Sequence, residues 1–391
     1  MSYKNYNFDR IIDRRNTESL KFDSAVSRGK PADILPLWVA DMDFPAPDCV
    51  LNALQERVSH GILGYAEPNN SYFDALAGWF TGRFGYEFDP AWVTVVPGAV
   101  YAICTAISAY TQPGDAILIQ EPVYYPFRES ILINKRQPIV SELCLDGDDY
   151  GIDFSDFERK ISENNVKMFI LCSPHNPVGR VWQADELREM VRICAKYDVL
   201  ILTDEVHCDF VFHGHKHFCL PVLLSEYQAK IILLTAPSKT FNLAGMQISN
   251  IFISDPTLRR AFRNSVANSG YSQANQLGLV ACRAAYSGGA DWLDALLVYL
   301  KDNMAFIDRL LKEKLPSVRL IPPQGTYLAW LDCRKLGLTP DALEHKLVHE
   351  AGLWLSRGDT FGSGGAGFTR INTACPRAVL ETCMERFVAA F

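Results

Sequence analysis

The chain has 391 residues, 48% of them hydrophobic and 21% charged, an ordinary globular mixture long enough for two or three domains. Its 38 basic and 45 acidic side chains leave a formal net charge of −7, which argues against a nucleic-acid partner because phosphate binding calls for a basic face. No stretch approaches the roughly 20 apolar residues that span a bilayer, and the 11 cysteines include no C-x-x-C pair, the pattern of reduced thiols in a cytoplasmic protein.

The opening Met1-Ser2-Tyr3-Lys4-Asn5-Tyr6 is polar and aromatic, unlike a secretory signal. Residues 1–45 hold few strand signals. Further on, short apolar runs alternate with helical patterns: strands are predicted at Asp115–Gln120, Val166–Cys172, Val199–Val206, Lys230–Thr235 and Asn250–Ser254. Each is rich in Ile, Leu and Val almost throughout, as strands covered on both faces should be. Between them, Ala184–Tyr197 puts Leu187, Met190, Val191 and Cys194 on one helical side. From about Asp291 a long helical pattern leads into strand candidates Val318–Ile321, Thr326–Leu331 and Phe368–Asn372. The expected fold is therefore α/β, with a large domain over 46–289 built on a mostly parallel sheet flanked by helices. Residues 290–391 would form a smaller α+β domain, with 1–45 contributing to it.

Ligands of open α/β sheets bind beyond the carboxyl ends of the strands, so the polar residues that follow the apolar runs matter most. One run leads into Ser173-Pro174-His175-Asn176-Pro177-Val178-Gly179, the next into Asp204-Glu205, and a third into Ser238-Lys239. Pyridoxal 5′-phosphate needs such a set. A lysine amine forms the Schiff base and moves protons, a carboxylate keeps the pyridine nitrogen protonated, and an amide donates to the phenolic oxygen. Taken singly, Asp204 reads as a helix cap, Asn176 as a turn residue and Lys239 as a solvated charge. Three successive strand ends favour the joint reading.

At these residues the chain resembles the class I/II aminotransferase family of fold-type-I pyridoxal-phosphate enzymes. Ser173–Gly179 is similar to the family's S-P-x-N-P-x-G turn, Thr203-Asp204-Glu205-Val206 to its D-E strand end, and Ser238–Gly245 to its lysine segment. The resemblance implies that Lys239 is catalytic and that Asp204, Asn176, Tyr124 and Ser238 contact the cofactor. It implies further that the backbone of Gly98, Ala99 and Val100 holds the phosphate at a helix N-terminus. Tyr65 would reach the phosphate and substrate of a neighbouring subunit, making the enzyme a homodimer with shared active sites. Arg370 would clamp the α-carboxylate of an amino-acid substrate, a task that suits its bidentate fork, with Asn176 also at the substrate. Alone, the two tyrosines read as core aromatics and Arg370 as half of a surface ion pair.

Leu37-Trp38-Val39-Ala40-Asp41-Met42-Asp43-Phe44 resembles a signature of the cystathionine β-lyase-like C–S lyases, which implies that Ala40 lies on the substrate-carboxylate loop. The chain departs from ordinary aminotransferases at two places. His207 stands at the cofactor where they usually carry Tyr, and Gln247 stands where they carry a cation beside the phosphate. The subgroup implies α,β-elimination from cysteine S-conjugates such as cystathionine, giving pyruvate, ammonia and a thiol. The alternatives are amino-group transfer to a 2-oxo acid and a lyase that also binds a transcription factor.

Two further patterns have other readings. Gly362-Ser363-Gly364-Gly365-Ala366-Gly367 satisfies G-x-G-x-x-G but precedes a predicted strand instead of a helix, so it reads as a flexible loop near Arg370. The run His207, Cys208, His213, His215, His217, Cys219 lacks paired metal-ligand spacing and reads as a solvated loop, with no metal expected.

Overall fold

The structure, a computed structural model, describes residues 6–391. The polar opening, apart from Tyr6, lies outside the described residues.

The apolar runs form a seven-stranded sheet. Its spatial order is Val93–Val96, Ser249–Phe252, Ile231–Thr235, Leu200–Asp204, Met168–Cys172, Ala116–Ile119 and Gln137–Val140. The last five of these run parallel to one another, and Ser249–Phe252 is antiparallel to both of its neighbours. Pleating divides each central strand between two cores. Phe169, Leu171 and Ile201 face the helix Ala184–Lys196 through Leu187, Met190, Val191 and Cys194. Met168, Ile170, Leu202 and Ile232 face the opposite layer, where Ile103, Ala106 and Ile107 come from the helix Ala99–Tyr110. This is the α/β sheet expected from the sequence, with helices on both faces.

Two of its strands escaped prediction. Val93–Val96 is a four-residue run, and Gln137–Val140 contains Pro138, which is tolerated there because the strand lies at the sheet edge. Predicted strand ends overran by one or two residues; the Asp204 strand stops at Asp204, leaving Glu205 and Val206 in a turn.

A second sheet of four antiparallel strands follows the long helix Ala290–Lys314, in the order Arg319–Leu320, Leu328–Asp332, Phe368–Asn372, Ser356–Arg357. The early chain is tied to this region, because Leu35–Pro36 pairs in parallel with Leu353–Trp354 and Trp38 stacks on Trp354 with ring centroids 4.3 Å apart.

Two loop readings need correction. In the histidine run, His207, Cys208, His217 and Cys219 are buried and only His213 and His215 are exposed. His217 meets the buried Glu205 carboxylate at 2.8 Å; burial of Glu205 demands such partners, so this stretch is core and not a solvated loop. The glycine run is also packed rather than loose. A Cβ on Gly365 would collide with the Gly358 carbonyl, and one on Gly362 would collide with the Glu121 carboxylate. Gly365→Ala should therefore destabilise the protein by about 1–3 kcal/mol through overpacking. Denaturant unfolding will measure it, and an unchanged midpoint would refute the close-packing account.

Candidate active site

Asp204 ends, and Asn176 and Lys239 follow, three strands that are adjacent and parallel, so their carboxyl ends open at one edge of the sheet. Register places Asp204 beside Cys172 on one side and Leu234 on the other. Lys239 then rides on a single helical turn, Pro237–Thr240.

From the second sheet, the strand Phe368–Asn372 delivers Arg370 to the same place. Arg370 Nη1 donates to Asn176 Oδ1 at 2.9 Å, while Nη2 donates to the Trp38 carbonyl at 2.8 Å and to Ser356 Oγ at 3.1 Å. Its Nε is buried without a protein partner, and the guanidinium lies 4.8 Å from the centre of the Phe361 ring. Lys239 Nζ donates to the Ala40 carbonyl at 3.1 Å, which also accepts from Tyr327 Oη at 2.7 Å. Asn372 Nδ2 donates to the Val39 and Asp41 carbonyls at 2.7 and 2.6 Å. The segment Trp38–Asp41 is thus held carbonyl by carbonyl.

Burial dominates the electrostatics. It brings the Lys239 amine down to about 8, with the positive charge of Arg370 adding to the effect and Asp41 and Asp204 opposing it. Burial also pushes the Asp204 carboxyl up to about 7, although Val206 N–H and Lys239 counter it. His207 is held well below its ordinary range by burial and by the charges of Lys239 and Arg370, so it is neutral at pH 7. Its Nδ1 is buried without a protein partner. The Tyr124 phenol is raised by burial and feels both Asp204 and Arg370.

At the other side of the mouth, Gly98 caps the helix Ala99–Tyr110 with φ +142°. A Cβ there would stand 3.6 Å from Gln247 Oε1. Gln247 therefore does lie beside the helix start.

Of the residues expected at the site, Ala40, Tyr124, Asn176, Asp204, His207, Lys239 and Arg370 come together, with Ser238 next to Lys239 and Gly98 and Ala99 at the helix start. The Val100 side chain does not join them, being 38% exposed, and Tyr65 is 93% exposed and touches almost nothing of its own chain. Sequence reasoning missed Tyr327 and Ser356, which no motif marks out, and the second role of Asn372, which lay unread inside Phe368–Asn372.

These residues fit a specific guest. Asp204, at about 7, calls for a cationic ring nitrogen; Lys239 offers an amine to an aldehyde; the Gly98 helix start offers N–H groups to an anion. The orphaned His207 Nδ1 and Arg370 Nε are polar atoms awaiting partners. Such a site belongs to the pyridoxal 5′-phosphate enzymes of fold type I.

The comparisons agree. The family model for aminotransferase class I and II matches residues 32–387. The cystathionine β-lyase PatB of Bacillus subtilis (strain 168) is 39% identical over 384 residues, covering 98% of this chain and 99% of the relative. Protein MalY of Escherichia coli (strain K12) is 33% identical, with 96% of each chain covered. The crystal structure of cystalysin from Treponema denticola, which contains pyridoxal 5′-phosphate, matches with a TM-score of 0.95 at 35% identity over 98% of both chains. The chain belongs to the class I and II aminotransferase family and, within it, to the cystathionine β-lyase-like subgroup. Its cofactor is pyridoxal 5′-phosphate.

A testable consequence concerns the lysine. Only the unprotonated amine attacks an aldehyde, so capture of pyridoxal 5′-phosphate by the stripped protein should accelerate through about pH 8 and then level off. Stopped-flow absorbance will follow it. A rise that continues above about pH 10, the ordinary lysine range, would mean a solvated amine.

Proposed function

We propose that the chain is a carbon–sulfur lyase that eliminates the β-thiolate from cysteine S-conjugates, cystathionine among them. With water consumed, the products are a thiol, pyruvate and ammonia. The observation that carries this reading is the meeting of the Lys239 amine, the Arg370 guanidinium and the Ala40 segment, in a chain similar over nearly its full length to a cystathionine β-lyase.

When bound, pyridoxal phosphate supplies an electron sink that stabilises negative charge at the substrate α-carbon. The protein does the rest. Arg370 binds the α-carboxylate, and its bond to Asn176 Oδ1 turns the Asn176 NH₂ outward as the donor to the cofactor's phenolic oxygen. Lys239, at about 8, is near the working pH and takes the α-proton from the substrate. Asp204 keeps the ring nitrogen protonated, and neutral His207 adds a hydrogen-bonding atom without a competing charge. Tyr124 packs against the ring. Ser238 and the Gly98–Ala99–Val100 backbone hold the phosphate, with Tyr65 arriving from a second copy; the exposure of Tyr65 supports a homodimer with shared sites. We further divide the chain into a large domain over 46–289 and a small one over 290–391 joined by 1–45. Eleven unpaired cysteines support a reducing, cytoplasmic setting.

Two measurements test this. Enzyme given cystathionine and no 2-oxo acid should release thiol and pyruvate over many turnovers. Release of no thiol, with one equivalent of amino group passed to the cofactor, would instead make it an aminotransferase. Arg370→Lys keeps the charge but loses the fork, and it should raise KM by about tenfold or more. An unchanged KM would remove Arg370 from the substrate.

A further inference from the structure

We propose that Asp209 is a positioning residue that acts through Thr240 to fix the Lys239 amine relative to Asp204, a proposal that rests on Lys239 being the cofactor lysine. Asp204 and Asp209 bracket one stiff turn. Val206 N donates to Asp204 Oδ1 at 3.2 Å, Cys208 N to the Glu205 carbonyl at 3.0 Å, and Phe210 N to the His207 carbonyl at 2.9 Å. Glu205 N donates to the Leu234 carbonyl at 2.9 Å, anchoring the turn to the strand that leads to Lys239.

From the far end of this turn the Asp209 carboxylate reaches across to the lysine segment. Its Oδ2 accepts from Thr240 Oγ1 at 2.7 Å, with Asp209 7% and Thr240 1% exposed. Trp79 is the other side chain at this carboxylate, although its indole N–H and the remaining Asp209 oxygen make no hydrogen bond of ordinary geometry. Arg83, whose charge favours the carboxylate, is engaged with Asp294 at 2.9 Å, and His217 bonds Glu205 at 2.8 Å. A buried carboxylate is costly, and here its strong link is one hydroxyl beside Lys239. A helical threonine ordinarily bonds back to its own turn; this one bonds to a different segment.

The geometry on the other side of the lysine completes the argument. Asn242 accepts from Met42 N at 2.9 Å and donates to the Met42 and Phe44 carbonyls at 3.0 and 2.8 Å. Lys239 therefore sits between two pegs. The Asn242 peg sets it against the Ala40 loop, and the Thr240 peg sets it against the turn that carries Asp204. Because Asp204 meets the ring nitrogen and Lys239 the aldehyde carbon, the Thr240 peg governs the span between the two ends of the cofactor. Misplacement by an ångström is enough to slow chemistry severely.

The test uses cofactor-bound protein and three substitutions: Thr240→Ser, which keeps the hydroxyl; Thr240→Val, which keeps the shape without it; and Asp209→Asn, which weakens the acceptor. The readouts are the pH midpoint of the cofactor's visible absorbance, and kcat and KM separately. Thr240→Ser should stay within about twofold of the parent. Thr240→Val should lose about tenfold or more in kcat with KM within about threefold, and its absorbance midpoint should move by at least about half a pH unit. If Thr240→Val folds with the parent's melting temperature and keeps both the midpoint and kcat, the proposal is overturned. It is equally overturned if Thr240→Ser is as damaged as Thr240→Val, since packing alone would then explain both. Should Thr240→Val not fold, Asp209→Asn decides: a displaced midpoint supports the proposal and an unmoved one defeats it. Parent protein that takes up no cofactor would instead defeat the reading of Lys239 itself.

Discussion

The site depends on one constraint, that the partly buried carbonyls of residues 38–42 must find donors. A buried carbonyl left unpaired is costly, and this segment belongs to no helix or strand that would satisfy it. Arg370 and Ser356 serve Trp38, Asn372 serves Val39 and Asp41, Lys239 and Tyr327 serve Ala40, and Arg14 and Asn242 serve Met42. These donors come from the four-stranded sheet, from the lysine segment that follows a strand of the seven-stranded sheet, and from the early chain. The 38–42 loop is therefore correctly placed only when those elements have docked, with Lys239 and Arg370 both bonded to it.

That convergence creates an electrostatic problem. Lys239, Asp204 and His207 are all driven toward their neutral forms by burial, and every tenfold displacement of a proton equilibrium corresponds to about 1.4 kcal/mol. A cofactor that carries a proton on its ring nitrogen relieves the strain at Asp204 by supplying a partner charge. An imine at Lys239 would likewise remove a charge that burial disfavours. The unmet groups of the site, a carboxyl raised by burial and a buried guanidinium nitrogen without an acceptor, would thus suit a cationic ring nitrogen and a carboxylate respectively.

Much of this was legible in the sequence because parallel strands covered on both faces are continuous apolar runs, and their ends are abrupt. Cys172, Asp204 and Thr235 close such runs, so the polar residues just beyond them stood out as converging groups. The four-stranded sheet was partly legible for the same reason, Phe368–Asn372 being read to the residue. Tyr327 was not legible, because its role comes from the pairing of Leu328 with Asn372, a contact between segments with no shared pattern. The histidine run misled for a related reason. Gly214 and Lys216 are polar surface signals, yet His217 between Lys216 and Phe218 turns inward to the Glu205 carboxylate, and a single inward side chain leaves no periodicity.

The early chain acts on the lysine at one remove. Asp41 pulls the Lys239 amine back toward its protonated form, and one Asp41 oxygen is buried without a partner. Left alone, a carboxylate this near would favour the ammonium form of Lys239. Arg14 binds Asp41 and also Asp43, at 2.8 Å to the latter, while the fully buried Lys21 takes the second Asp43 oxygen at 2.7 Å. Two cations thus face two carboxylates, and in an interior where charge is weakly screened their sum is close to zero. At Lys239, burial and Arg370 outweigh the pull of Asp41 and Asp204 and keep the amine near 8. The signature Asp41-Met42-Asp43 is thus held by Arg14 and Lys21, which lie in the part of the chain that offered fewest signals.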